Sequence, residues 1–335
     1  MSELLATMDP VLLRLINDSQ RDFPLCPQPF ALLAAAMPGE WSEPDLLAAL
    51  RQAGQDGLLS RIGAVFSPHT VGSSTLAAMA VPPDQLASVA SFVSSQREVN
   101  HNYQRDHHYN LWFVVAAAST TAVADVLARI YLATGIRPLN LPLLREYHID
   151  LGFNFLPDEQ PGLCPASPAV AAMSALPSRQ QQALLNALSG GLPLSSRPYQ
   201  ELGAGCGLDE TQVLGQIARW RDEGVIRRFG MVVRHHELGY RANAMCVWQI
   251  DDASERERIA HLLAAEPAVT LCYERPARLP DWPYQLFTMI HARDAQALAS
   301  LLEEIRLRHG LQQLPLAVLR STRRYKQAGA CYGHA

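Results

Sequence analysis

The stretch GVIRRFGMVVRHHELGYRANAMC, residues 224–246, decides the architecture, because a version of it occurs twice in the chain. Set beneath GLLSRIGAVFSPHTVGSSTLAAM, residues 57–79, it pairs Arg228 with Arg61, Gly230 with Gly63, His236 with His69 and Gly239 with Gly72 at one constant offset. The likeness continues downstream. NHNYQRDHHYNLWFVVAA, from Asn100, lies over TLCYERPARLPDWPYQLFTMIHA, from Thr270. Tyr103 then falls on Tyr273 and Arg105 on Arg275, and after a short insertion Tyr109-Asn110-Leu111 falls on Tyr284-Gln285-Leu286. Later, Leu141-Pro142-Leu143 echoes Leu314-Pro315-Leu316. The chain reads as a duplicated unit.

The halves meet at PDEQPGLCPASPAV, residues 157–170, a Pro-rich stretch without apolar periodicity that reads as a linker. In the second half QQALLNALSG, RPYQELGAGCG and DETQVLGQIARWRDEG predict helices, the last capped by Asp209 and stopped at Gly224. The strand-like VIRRFGMVV follows, so helices and a β-ribbon predict a winged helix-turn-helix. Next come strand ANAMCVWQI, helix SERERIAHLLAAEP, strands AVTLCYER and YQLFTMIHA, helix DAQALASLLEEIRLRHG and strand LPLAVLRSTRR. That βαββαβ order predicts a ferredoxin-like domain. The first half repeats it, with strands near 75–81, 99–105, 110–118 and 137–146; the apolar run from Leu111 to Val115 suits a buried strand. The expected fold is α+β: winged helix-turn-helix over 1–66 and 177–234, ferredoxin-like βαββαβ over 67–156 and 235–335, and a linker over 157–176. The βαββαβ domains are expected to pack as an intrachain pseudo-dimer.

Bulk properties narrow the function. An apolar fraction of 48% with 18% charged residues in 335 fits a soluble globular chain, and a net charge of −4 argues against a polyanion as the main partner. Cys26, Cys164, Cys206, Cys246, Cys272 and Cys331 stand singly, so neither zinc nor disulfides are expected and a reducing cytoplasm is. The N-terminal MSELLATMDPVLLRL, with Glu3 and Asp9, lacks the basic start of a secretory signal. Apolar runs such as 114–118 fall far short of the roughly 20 residues that span a bilayer. GAGCG, residues 203–207, lies between helices and not after a strand, so it is not read as a phosphate loop.

A winged helix before a βαββαβ domain resembles the Lrp/AsnC family of bacterial regulators, twice over and along nearly the whole chain. That family implies transcription control. Here the recognition-helix positions Asp209, Glu210, Thr211, Gln212, Val213, Gly215 and Gln216 begin acidic. WSEPDLLAALRQAG in the first half brings Glu43 and Asp45 with only Arg51. Neither helix suits a polyanion, so DNA binding is not expected and the helix-turn-helix reads as a packing and dimerisation module. The sheet motifs N-H-N-Y-x-R-x-x-x-Y-N-L-W-F, C-Y-E-R and W-P-Y-Q-L-F-T-M-I-H resemble those of the siroheme decarboxylases of haem d1 biosynthesis and the alternative haem pathway. The order of the halves is similar to fused D and L subunits. The resemblance implies loss of two acetate carboxyls from siroheme as carbon dioxide, giving 12,18-didecarboxysiroheme. It also implies siroheme, its product and other haem d1 biosynthesis subunits as partners, and admits a higher oligomer.

Siroheme is a large flat polycarboxylate, so its site needs cations, aromatic walls and a proton donor. Arg61, Arg105, Arg228 and Arg275 are candidate clamps, because guanidinium binds carboxylate bidentately and stays charged; Arg61 and Arg228 alternatively brace a neighbouring helix. Tyr103, Tyr109, Trp112, Tyr273, Trp282 and Tyr284 are candidate walls, with Asn110 beside them. The proton calls for histidine, whose ordinary pKa of about 6.5 lets it donate and recover a proton near neutrality. No external cofactor and no protein-bound metal are implied, since the iron and ring of the substrate act as the electron sink. On an alternating strand His101, Tyr103 and Arg105 share one face, which makes His101 the first candidate acid. His148, in REYHIDLGF, is the second, partly by the resemblance. His107 and His108 read as solvated turn residues. Leu271 replaces His101 in the second half, which leaves one competent pocket. His291, with Ala117 as its counterpart, serves another pocket or the iron, and His69 and His236 either approach a pocket or hold the wing turn. RSTRRYK, residues 320–326, reads as a solvated run, with Arg323, Arg324 and Lys326 as alternative carboxylate ligands. Two rivals stay open: a regulator binding DNA and a small ligand, and a non-catalytic tetrapyrrole carrier.

Overall fold

The computed structural model describes residues 8–67, 70–149, 178–233 and 242–329; His69, His236 and the linker lie outside the described residues. The first half runs α1 (Pro10–Asp18), α2 (Pro29–Ala36), α3 (Glu43–Gln55), β1 (Leu59–Phe66), β2 (Ser73–Met79), α4 (Leu86–Ser95), β3 (Val99–Arg105), β4 (Leu111–Ala117), α5 (Thr120–Thr134), β5 (Leu139–Pro142) and β6 (Arg145–Ile149). The second runs α6 (Arg179–Gly190), α7 (Pro198–Cys206), α8 (Glu210–Asp222), β7 (Ile226–Val233), β8 (Ala242–Trp248), α9 (Ala253–Ala264), β9 (Val269–Glu274), β10 (Leu286–Ala292), α10 (Ala295–Arg308) and β11 (Leu316–Gln327). These elements form two compact units, one gathering the helical portions of both halves and the other their sheet portions.

In the helical unit, α3 and α8 are built alike. Ser42 with Asp45, and Asp209 with Gln212, close capping boxes that satisfy the first backbone N–H groups, so part of the acidity at both helix starts has a local structural cause. Leu46, Leu50 and Ala53 of α3, and Val213, Ile217 and Trp220 of α8, turn into the core at helical spacing. Gly57 and Gly224, at φ 86° and 71°, follow the two helices in the left-handed conformation that favours glycine.

The wing strands pair with each other and not as separate local ribbons. β1 and β7 run antiparallel with Gly63 opposite Gly230, Ile62 opposite Met231 and Ala64 opposite Phe229, so a pseudo-two-fold axis passes at the glycine pair. A β-carbon on Gly230 would stand 2.3 Å from the Gln20 carbonyl oxygen, and one on Gly63 2.7 Å from that of Leu188. Backbone approach this close explains why both halves keep the glycine.

The sheet unit is one nine-stranded sheet in the order β5-β2-β4-β3-β11-β8-β10-β9-β6. Helices α4 and α5 cover the first-half strands with a core that includes Met79, Val93, Phe113 and Ile130, and α9 and α10 cover the second with Trp248, Leu263, Ile290 and Ile305. Strand β11 joins the halves, since 316–320 pair with β8 and 321–327 with β3. β5 and β6 do the same for the first half, pairing with β2 and with β9. Only Leu143 and Leu144 separate β5 from β6, yet these strands occupy opposite ends of the sheet. The sheet must therefore curl until its ends meet. The Leu144 N–H donates to the Glu274 carbonyl at 2.9 Å and Arg278 Nε to that of Asn140 at 2.8 Å across this seam. The helix-free face turns inward onto Ala78, Trp112, Leu141, Met245, Val247, Trp282, Phe287 and Leu319.

Register corrects two details of the repeat. Leu141 lies opposite Leu76 and Leu319 opposite Met245, within a β2/β8 equivalence set by Met79 and Trp248, which face Leu111 and Leu286. Leu141 therefore corresponds to Leu319, and the echo at Leu314 is a coincidence of composition. Counted from Leu111 and Leu286, the counterpart of His291 is Ala116 and not Ala117. Among the described residues no helix is long and apolar enough to cross a membrane. Gly230→Ala is expected to lower unfolding free energy by about 2–3 kcal/mol, read as a lower urea midpoint, because backbone cannot retreat from the added methyl.

Candidate functional site

Strand β3 sorts its polar residues by face. Asn102 Nδ2 donates to the Ala90 carbonyl and to Ser94 Oγ, each at 3.0 Å, and Gln104 Oε1 accepts from the Tyr325 hydroxyl at 2.9 Å, so these residues face the helices. His101, Tyr103 and Arg105 alternate onto the inner face. The His101 ring stacks on Tyr103 with centroids 6.2 Å apart, and the Arg105 guanidinium carbon lies 5.9 Å from the Tyr103 centroid. A bulge precedes them, with Val99 opposite Val115 and His101 opposite Val114.

Arg105 is 8% exposed. Its Nη1 donates to the Leu319 carbonyl at 2.9 Å, Nη2 stands 4.0 Å from Met289 Sδ, and Nε is buried with no hydrogen-bond partner among the described residues. Burial pulls its pKa down to about 10, which still leaves it charged at neutral pH. Burial also raises the pKa of Tyr103, so its phenol keeps its proton. Arg275 repeats the arrangement in the second half. Its Nη1 donates to the Leu141 carbonyl at 2.6 Å, its guanidinium lies 5.3 Å from the Tyr273 centroid and 5.8 Å from that of Phe287, and burial lowers its pKa to about 10. Leu319 and Leu141 being equivalent, each arginine pins the last strand of the opposite half. Among the described residues neither arginine meets a carboxylate, so both charges lie uncompensated inside the curled sheet.

Trp282, carried on the segment inserted in the second half, joins the walls of both halves. Its ring centroid lies 5.2 Å from Trp112, 5.9 Å from Tyr109, 4.9 Å from Tyr284 and 6.0 Å from Phe287. Its indole N–H is buried with no hydrogen-bond partner among the described residues. His107, read from sequence as a solvated turn residue, packs edge-on to Trp282 at 5.7 Å, and its Nδ1 accepts the Tyr109 N–H at 3.0 Å. Burial lowers its pKa. Aromatic neighbours on both sides of the turn were the signal that it packs. Asn110 ties its amide to the backbone of Val81, accepting at 3.0 Å and donating at 2.8 Å.

The remaining candidates disperse. His148 lies opposite Cys272, whose thiol donates to the Ala260 carbonyl of α9, and this register sets it on the helix-covered side of β6. The structure therefore does not bring His148 to His101. His291 is buried on the inner side of β10, with Nδ1 3.1 Å from Thr270 Oγ1. Arg61 and Arg228 belong to the helical unit. Arg61 donates through Nε to the Ser189 carbonyl and through Nη2 to that of Ala64, both at 2.9 Å. Arg228 lies opposite Val65 on β7.

The sequence matches the AsnC-like ligand binding domain family over residues 71–148 and 237–326, and the siroheme decarboxylase NirDL-like HTH domain over 181–227. These matches, with the fold, define a duplicated AsnC-like protein. Over 97% of its length the chain is 40% identical to the siroheme decarboxylase NirDL subunit of Paracoccus denitrificans, covering 98% of that protein. The crystal structure of the siroheme decarboxylase NirDL matches with a TM-score of 0.70 at 25% identity, covering 96% of this chain and 94% of that one. The co-complex of NirDL with an iron-uroporphyrin III analogue gives a TM-score of 0.68 at 25% identity, covering 96% and 93%. The chain belongs to the siroheme decarboxylases, which are carboxy-lyases, and to their fused two-subunit form.

Alanine at Arg105 or at Arg275 is expected to cost about 2–4 kcal/mol of unfolding free energy, because it orphans a buried carbonyl and leaves a cavity. Urea titration of the pigment-free protein checks this, and the equivalent settings make the two losses similar.

Proposed function

We propose that the protein removes two acetate carboxyls from siroheme, as a step of haem d1 biosynthesis, on the inner face of β3. Family membership along the whole chain supports this. The observation that carries it is the stack of His101 on Tyr103 beside Arg105, a cation whose described surroundings hold no carboxylate. In each decarboxylation the bond from the methylene carbon to the carboxylate breaks and carbon dioxide leaves. The electron pair passes into the conjugated macrocycle, and a proton delivered to the methylene carbon completes a methyl group.

His101 is the proposed donor, since imidazolium can give its proton at neutral pH and regain one from water. Tyr103 offers a flat wall and a phenol that stays protonated. Arg105 supplies fixed positive charge from within the fold, where low polarity keeps it effective, so the anionic substrate is drawn to this face. Tyr109, Trp112, Trp282 and Tyr284 form the proposed aromatic surroundings of the macrocycle. His148 has no step here, because β6 holds it on the helix-covered side.

The rival DNA-reading function finds little on α8. Glu210 at its start is ion-paired with Arg197, Arg221 at its end is paired with Asp22 at 2.9 Å, and Val213, Ile217 and Trp220 are buried.

Anaerobic incubation with siroheme tests the reading. Product lighter by two carboxyls is expected, whereas bound but unchanged pigment would make the protein a carrier, and salt-sensitive duplex binding in its place would make it a regulator. His101→Ala is expected to lower kcat about 100-fold or more while pigment affinity changes only a few-fold. Unaltered turnover in that variant removes His101 from the mechanism.

A further inference from the structure

We infer that Arg324, on the strand contributed by the second half, recognises a substrate carboxylate beside His101, and that Glu146 in the equivalent place bars such a substrate from the other half. The inference rests on the siroheme reading above and adds a residue to it.

The equivalence of Leu319 with Leu141 carries forward along the last strands, so RRYKQ, residues 323–327, matches REYHI, residues 145–149. Side-chain contacts agree with this match. The Tyr325 hydroxyl donates to Gln104 as the Tyr147 hydroxyl donates to Glu274, and the guanidinium of Arg323 lies 5.0 Å from the Tyr325 centroid as that of Arg145 lies 5.3 Å from the Tyr147 centroid.

This symmetry sorts the basic run. Arg323 lies opposite Gln104, on the helix-covered side. Lys326 faces the same side and donates through Nζ to the carbonyls of Ser94 at 2.8 Å and Gln96 at 2.9 Å. Arg324 alone of the three lies opposite Tyr103, and its charge acts on the Tyr103 phenol. It is exposed, and Nη1 donates to Gln327 Oε1 at 3.1 Å, where Gln327 in turn lies opposite His101. An exposed guanidinium with a neutral amide partner keeps its charge and fork available for a carboxylate.

Across the pseudo-axis the same places hold Leu271 for His101 and Glu146, opposite Tyr273, for Arg324. A polycarboxylate docked there would meet a like charge, with leucine in the place of His101. Tyr273 and Arg275, by contrast, repeat Tyr103 and Arg105, and Arg275 ties the Leu141 carbonyl into the sheet.

Siroheme titrated anaerobically into the full-length protein, followed by pigment absorbance, tests this. One pigment per chain is expected. Arg324→Glu should weaken binding about tenfold or more and raise KM in step, with kcat at saturation changed less than about threefold. Arg324→Lys should recover most of the affinity, and Arg323→Glu, which alters the neighbouring charge on the other side, should bind as the parent protein does. Undiminished affinity in Arg324→Glu, equal weakening in both glutamate variants, or two pigments per chain would overturn the inference. Failure of the parent protein to release carbon dioxide would instead defeat the functional reading, and the binding comparison would still judge Arg324.

Discussion

The exchange of last strands is the constraint on which the sheet unit depends. Had β11 ended at Arg320, β3 would present an unpaired edge, and Arg105 would still need the Leu319 carbonyl held where only this crossing holds it. The same applies to β6, β9, Arg275 and Leu141 in the other half. A buried guanidinium is costly unless its N–H groups are placed, and each arginine finds its carbonyl on a strand that has crossed over. Sheet closure, arginine burial and the inner aromatic face are thus one arrangement. Lysine would not serve as well, since a single ammonium cannot hold a carbonyl and lie flat against a tyrosine ring.

The sequence made much of this legible because local periodicity is a local property. Alternation along β3 separated His101, Tyr103 and Arg105 from Asn102 and Gln104, and side-chain contacts bear that division out. Capping residues and glycines marked α3 and α8, and the repeat implied the duplicated fold. What was not legible is set by partners far away in the chain. The wing strands looked like local ribbons, because nothing in VIRRFGMVV reveals that its partner is residues 59–66. The echo of Leu-Pro-Leu misled because apolar strands resemble one another under any small shift, and only register distinguishes Leu319 from Leu314 as the partner of Leu141. The side on which His148 stands depends on a register shift between Glu146 and His148, which no pattern in five residues announces.

The candidate site was legible in its chemistry and less so in its grouping. Residue types picked out cations, aromatic rings and histidines, yet these spread over both units, and only the strands decide which of them meet. Trp282 shows the difference clearly. Its place in an insertion gave no symmetric partner to align, and its role as the residue touching Trp112, Tyr109, Tyr284 and Phe287 follows from the curl of the sheet. The basic run 320–326 was ambiguous for a related reason. Arg323, Arg324 and Lys326 look alike in sequence until the bulges of β11 assign each a side.

Joining the halves in one chain also bears on the asymmetry of the site. In a dimer of identical subunits, every change beside one pocket would be copied beside the other, so His101 and Leu271 could not occupy equivalent places. A covalent link guarantees one half of each kind at high effective concentration, and it leaves each half free to vary where the other supplies what is lost. Variation then falls on side chains that meet a ligand, while the groups closing the sheet must stay matched. The observed pattern has that form: Tyr103 with Tyr273 and Arg105 with Arg275 are identical pairs, and His101 with Leu271 and Arg324 with Glu146 are not. Symmetry is retained where backbone strands must be pinned, and it is broken at the positions proposed to steer a charged substrate to one side.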